Sequence, residues 1–195
     1  MLRAHAEDPA AIDSGSAPGP TDADRLRAAF VEGMSRSAAP VYVLTTAGAA
    51  GLQGLTVSAV SSLSADPPMV LACVHRQSPF AGTVRRNGVM AASLLGADQA
   101  ELADVFAGRH PGRTRADSFA ADPWTVGATG ALLLDGAAAG FECRLLTAHD
   151  AGTHVILIGL VLLVATGPAD PLLYHRRCYT APAQPAAYQP HSRLI

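Results

Sequence analysis

The sequence predicts a mainly β protein, a barrel or sandwich with flanking helices. Short apolar and β-branched runs recur along the chain, as at 41–46 (VYVLTT), 69–74 (MVLACV) and 153–166 (THVILIGLVLLVAT). Turns bearing glycine or proline join most of them at short intervals, and only two or three stretches carry a helical period. About seven or eight strands spaced in that way fit a closed barrel or a sandwich, not an alternating α/β sheet.

A chain of 195 residues, 49% hydrophobic and 15% charged, is long enough to bury the core of one domain. A formal charge of −2 gives no electrostatic reason to expect nucleic acid or an anionic membrane as a partner. All 14 basic residues are arginine, so Schiff-base chemistry and a P-loop lysine are excluded. Three cysteines, Cys73, Cys143 and Cys178, sit in or beside apolar runs and read as reduced, buried thiols of a cytoplasmic protein. No leader-like apolar stretch opens the chain, and the run at 155–165 is about half as long as a bilayer crossing needs.

Taken in order, residues 1–20 are rich in Ala, Gly, Ser, Pro and Asp and predict a flexible segment. Thr21 reads as the N-cap of a helix in which Leu26, Phe30 and Met34 form one apolar stripe, as a covering helix would. Pro40 opens a strand at 41–46, a turn follows at 47–51, and 54–60 runs back as its hairpin partner. Pro67 and Pro68 stop the hydroxyl-rich stretch before 69–74, an apolar strand read as buried on both faces.

Ser78-Pro79 starts a helix that ends near Gly88. A strand follows at 89–95 and a helix at 97–107 with Leu102, Val105 and Phe106 on one side. Residues 108–123, with two glycines, two prolines and three arginines, show no period and predict a long loop. Strands are expected at 131–134, 140–148, 153–166 and 171–174, with Gly159 marking a bulge or bend. The domain is expected over 21–180, and 181–195 reads as a tail.

The chemistry is concentrated in 51–74, where Thr56, Ser58, Ser61, Ser62 and Ser64 alternate with apolar residues. Such hydroxyls either cap backbone groups near the prolines or form the polar edge of a ligand site along a strand. Small side chains at Ser58 and Ala59 would let a flat ring approach the strand. Arg76 and Ser78, before a helix, make either a phosphate site or an ordinary cap. His154 is a lone strand-end histidine, and Arg109, Arg113 and Arg115 form a small basic loop able to meet dinucleotide phosphates. His175 and Cys178 alone make a poor metal site, and no metal is expected. No G-x-S-x-G elbow and no G-x-G-x-x-G turn is present.

Read together, FVEGMSRSAAPVYVLTT, Gly54-Leu55-Thr56 with VSAVSSLSADPPMVLACV, HRQSPFAGTVRRNGVMAASLL, ELADVFAGR, FECRLLTAHDAGTHVILIGLV and PLLYHRRCY resemble the flavin reductase family. These segments keep the family's order over about 27–180. The resemblance implies the FMN-binding split barrel, a six-stranded antiparallel Greek-key-like barrel, usually a homodimer with flavin near the subunit interface. It implies that Thr56, Val57, Ser58 and Ala59 line the isoalloxazine, that Ser61 and Ser62 approach its edge or ribityl chain, and that Arg76 and Ser78 take the phosphate end. It places His154 and Tyr179 on the nicotinamide side.

The activity implied is hydride transfer from NADH or NADPH to FMN or FAD, with reduced flavin passed to a partner flavin-dependent monooxygenase and no side chain acting as acid or base. A flavin-retaining oxidase or oxygenase, or a non-catalytic flavin- or haem-binding protein, are the alternatives on the same fold. Two departures stand out: Leu160 replaces the family's usual acidic residue after glycine, and Ser118-Phe119 replaces its Arg/Lys-Phe pair.

Overall fold

The computed structural model describes residues 20–183, so the expectations for 1–19 and 184–195 lie outside the described residues. Its contacts divide the chain into one unit ending at Met34 and another beginning at Ser35.

The first unit carries helix α1 (Asp22–Ser35). Thr21 and Asp24 cap it reciprocally: the Asp24 amide donates to the Thr21 hydroxyl at 3.2 Å, and the Thr21 amide to the Asp24 carboxylate at 3.0 Å. The predicted cap is therefore present. No side chain of the helix is buried, and Leu26, Phe30 and Met34 of its apolar stripe are 72%, 65% and 57% exposed.

The second unit is built on one antiparallel sheet. Its strands are β2 (Tyr42–Thr46), β3 (Gln53–Val57), β4 (Val60–Ala65), β5 (Pro68–His75), β6 (Val89–Leu94), β9 (Ala139–Ala151) and β10 (His154–Thr166). Their spatial order is β3-β2-β6-β9-β10-β5-β4. The two ends of that order are consecutive in the chain, parted only by Ser58 and Ala59. Residues 53–65 thus act as one bent strand that pairs with β2 in its first half and with β5 in its second. A hydrogen bond donated by the Cys73 amide to the Ala59 carbonyl at 2.9 Å carries the pairing into the bend. The ring closes, and six strand positions make the barrel the sequence implied.

The interior is filled by Leu44, Val70, Ala72, Val74, Met90 and Leu157 from four of those strands. Strand β5 alternates instead of being buried on both faces: Val70, Ala72 and Val74 point to the core, and Met69, Leu71 and Cys73 are half-buried. Only its inner face meets the barrel interior, which its uniformly apolar sequence could not show. Gly159 lies beside a register shift, as predicted, with Met90 and Cys143 packed where its side chain would be.

Helix α2 (Pro79–Asn87) starts at Ser78, whose hydroxyl accepts from the Phe80 amide at 3.3 Å, and ends at left-handed Gly88. Helix α3 (Ala100–Ala107) lays Leu102, Val105 and Phe106 against Val41, Val43 and Leu172 in a second apolar cluster. The predicted loop at 108–123 contains a short helix, α4 (Arg115–Ala121). A Thr114–Asp117 capping box and the packing of Phe119 on Phe106 and Trp124 fold a segment too short to show a period. Hairpin β7 (Trp124–Val126)–β8 (Leu132–Leu134) follows. The last expected strand is one arm of a further hairpin, β11 (Leu173–His175)–β12 (Cys178–Thr180), which pairs with β1 (Ala39–Pro40). Cys178 is exposed there, against the expectation of a buried thiol. Among the described residues no helix is long and apolar enough to cross a membrane.

Gly54 is the tightest joint between barrel and helices. A Cβ there would overlap the Phe106 ring and lie 2.8 Å from Phe119 Cζ, and both rings are held by neighbours. Gly54→Ala is expected to lower stability by about 1–3 kcal/mol, read as an earlier midpoint in urea unfolding; an unchanged midpoint would mean the aromatic cluster moves freely.

Candidate functional site

At the bend, Thr56, Val57 and Ser58 face a cleft of about 130 Å³, which Val41, Ala107, Arg109, Tyr174 and Tyr179 also line. The Thr56 hydroxyl is already engaged: it donates to the Ala103 carbonyl of α3 at 2.7 Å, and so fastens the helix to the strand. Its remaining capacity is that of an acceptor. Ser58 and Ala59 fall between the two ladders and are exposed. Ser61 and Ser62 are exposed on β4, with the Ser61 hydroxyl on the Ser62 carbonyl at 3.1 Å.

The cleft's far wall is a network that sequence reasoning missed. The Tyr179 hydroxyl donates to Asp104 at 3.0 Å and accepts from Arg109 at 2.6 Å, while Arg109 also donates to Asp104 at 2.8 and 3.0 Å. Asp104 and Arg109 flank the left-handed C-cap Gly108, a local signal that was readable. Their meeting with Tyr179, 70 positions on, depends on the barrel. Burial first, and then the bond to Asp104, push the Tyr179 phenol up to about 12, with Arg109 opposing. Of the three loop arginines only Arg109 lines this cleft. Arg113 is held by Asp122 at 2.6 Å, and Arg115 donates to the Phe106 carbonyl at 3.0 Å.

The remaining predicted residues gather at the open end of β5 and β10. The Arg76 amide donates to the Thr153 carbonyl at 3.0 Å, and Ser78 caps α2 beside it. Arg76 and Arg85 line a cavity of about 120 Å³ with Gly82 and Asp150. Arg85 bridges Asp150 at 2.5 Å, so a partner as well as the helix end accounts for its position. His154 stands opposite His75 in the ladder, ring centroids 5.4 Å apart and edge-on. The fold therefore puts Tyr179 with the bend and His154 with the Arg76–Ser78 end, and among the described residues no hydrogen bond or ring contact joins the two within one chain.

Both departures also have a place. Leu160 is half-buried between Met69 and Arg144, and the buried Ser118 hydroxyl donates to Asp122. Among the described residues no three potential metal ligands come together.

A closed six-position barrel with a small-residue bend, a tyrosine-walled cleft and a basic helix start defines the split-barrel class of ligand-binding proteins. The flavin reductase like domain matches residues 34–183, and the chain belongs to that family. A curated relative named FMN reductase (NADH) RutF, from Methylorubrum extorquens, is 41% identical over 175 residues, covering 89% of this chain and 84% of its own. The structure of BorF, the flavin reductase component of a bacterial two-component tryptophan halogenase, is similar at TM-score 0.71 and 35% identity over 82% of this chain and 98% of that one. The Streptomyces globisporus NADH:FAD oxidoreductase SgcE6, solved with NAD and FAD fragments, gives TM-score 0.74 and 27% identity over 88% of this chain and 100% of its own.

Because its folded pKa lies above the ordinary 10, Tyr179 favours the folded state below about pH 10 and loses that contribution as pH rises toward 12. Subtracting the tyrosinate absorbance curve of Tyr179→Phe from that of the native protein should isolate a titration near 12. Asp104→Asn should move it down. A Tyr179 titration at 10 would mean that the network is open to water.

Proposed function

We infer that this chain is a nicotinamide-dependent flavin reductase, with the isoalloxazine laid on the bend at Thr56–Ala59. One observation carries the placement: Ser58 and Ala59 lie between the two strand pairings, only the Ala59 carbonyl being bonded to β5, and expose a small-residue surface beside an aromatic cleft. That surface fits a flat, polar-edged ring, since Ser58 and Ala59 offer a short hydroxyl and no bulky side chain. The names of the relatives support NADH as donor and FMN or FAD as acceptor.

The flavin, when bound, supplies the hydride acceptor and the nicotinamide the donor. The protein's part is to hold and orient. Thr56 to Ala59 set the plane of one ring, and Tyr174 and Tyr179 wall the cleft and exclude water from it. Ser61 and Ser62 lie along the continuing strand, toward the ring edge and ribityl chain. Arg76, Ser78 and the start of α2 provide charge and amides for the phosphate. Tyr179 has its proton committed to Asp104, so it serves as a wall and not as an acid. His154, apart from that cleft in one chain, would act on the nicotinamide side from the strand end.

A homodimer and a cytoplasmic location belong to the same reading. Leu162, Leu163 and Val164, three consecutive residues of β10 at 53%, 44% and 54% exposure, support a surface covered by a second copy. Reduced flavin would leave for a flavin-dependent monooxygenase; BorF, the reductase component of a two-component tryptophan halogenase, supports such a division of labour.

Purified protein should oxidise NADH only when FMN or FAD is added; oxidation with no flavin stimulation would overturn the reductase reading. Ser58→Leu should weaken flavin binding by roughly tenfold or more, about 1.4 kcal/mol, at unchanged thermal stability. Unaltered affinity in that variant would move the ring off the bend.

A further inference from the structure

Eight described residues adopt positive φ, and six of them are glycine. The two exceptions are adjacent: Arg176 at φ 48° and Arg177 at φ 65°. They form the two-residue turn between β11 and β12, where His175 pairs with Cys178. Such a turn favours Asn-Gly, because both central residues must be left-handed. An arginine pair is poorly suited to it, and strained backbone of this kind concentrates at functional sites. Neither guanidinium makes a hydrogen bond or ion pair with another described residue, and both side chains are exposed. The Arg176 amide alone is tied, to the Ser35 carbonyl at 2.7 Å.

The hairpin that carries this turn also carries Tyr174 and Tyr179, which line the cleft beside the bend. Each arginine lies two residues from one of those tyrosines, about 7 Å at strand rise. In a nicotinamide dinucleotide one ribose separates the reacting ring from the pyrophosphate, a comparable span. The other cations near the cleft are occupied: Arg109 is paired with Asp104, and Arg113 with Asp122.

We propose that Arg176 and Arg177 are a binding and specificity element for the phosphate groups of the nicotinamide dinucleotide that enters the Tyr174–Tyr179 cleft. This rests on the reductase reading above. Two free guanidiniums on a fixed turn can take phosphate oxygens in paired hydrogen bonds. The left-handed turn fixes the backbone from which both side chains leave, on the hairpin that carries Tyr174 and Tyr179.

The test replaces the turn by the one its geometry favours, Arg176→Asn with Arg177→Gly, which should fold at least as stably as the native chain. Arg177→Gly alone is the second variant. Full-length protein loaded with flavin is titrated calorimetrically with NAD⁺ and NADP⁺, which bind without turnover, and with nicotinamide riboside, which has no phosphate. The double variant should raise the Kd of NAD⁺ roughly tenfold, leave nicotinamide riboside and flavin affinities unchanged, and raise KM for NADH without changing kcat. Equal losses for both dinucleotides would assign the pyrophosphate, and a larger loss for NADP⁺ the adenosine 2′-phosphate as well. Unchanged Kd for both dinucleotides, or a loss that includes the riboside, would overturn the proposal. Unchanged Kd with intact flavin-dependent NADH oxidation would overturn it and keep the reductase reading. Weakened dinucleotide binding in a protein that never reduces flavin would do the reverse.

Discussion

The site depends on one constraint: a single run of chain, 53–65, must serve as the edge partner of two different strands. Without it the sheet would present two open edges, with rows of unpaired amides and carbonyls. One continuous flat strand could not meet β2 and β5 together around a small barrel, so the ladder has to be left at some point. Here it is left at Ser58 and Ala59. The same bend that closes the barrel exposes a short stretch of backbone with almost no side chain over it, a surface suited to a planar ligand.

The surroundings keep that bend in place. Thr56 spends its hydroxyl on α3, and the absence of a side chain at Gly54 lets the Phe106 and Phe119 rings approach the strand. From the other side, Asp104 and Arg109 hold the Tyr179 hydroxyl, tying the β11–β12 hairpin to the C-terminal end of α3. Glu142 plays a comparable part below: its buried carboxylate accepts from the Thr129 amide and anchors the turn after β7. Burial pushes that carboxyl up, but bonds from Thr129 and Ala128 outweigh it and hold the pKa below the ordinary value. These polar links are long-range in sequence and fix which residues can face the cleft.

That distinction decides what was legible beforehand. The strands at 41–46, 89–95 and 153–166, the Ser78-Pro79 helix start and the bulge at Gly159 follow from local composition, and the structure has them. So does the grouping of Thr56, Val57 and Ser58 on one run. Segments whose folding rests on tertiary contacts were read less well. Helix α4 depends on Phe119 finding Phe106 and Trp124, and β12 depends on a turn that breaks the usual Asn-Gly rule. The Asp104–Arg109–Tyr179 network could not be assembled from spacing, since its third member lies across the fold. The stripe on α1 identified a helix correctly but not whether anything covers it.

Amide hydrogen exchange with and without saturating FMN tests the placement of the ring most directly, because it reports on backbone groups at the bend. Slowed exchange concentrated at 57–62, with a second zone at 76–82, is the predicted result. Protection confined to other segments, such as the open cavity around Leu52 and Phe119, would contradict it.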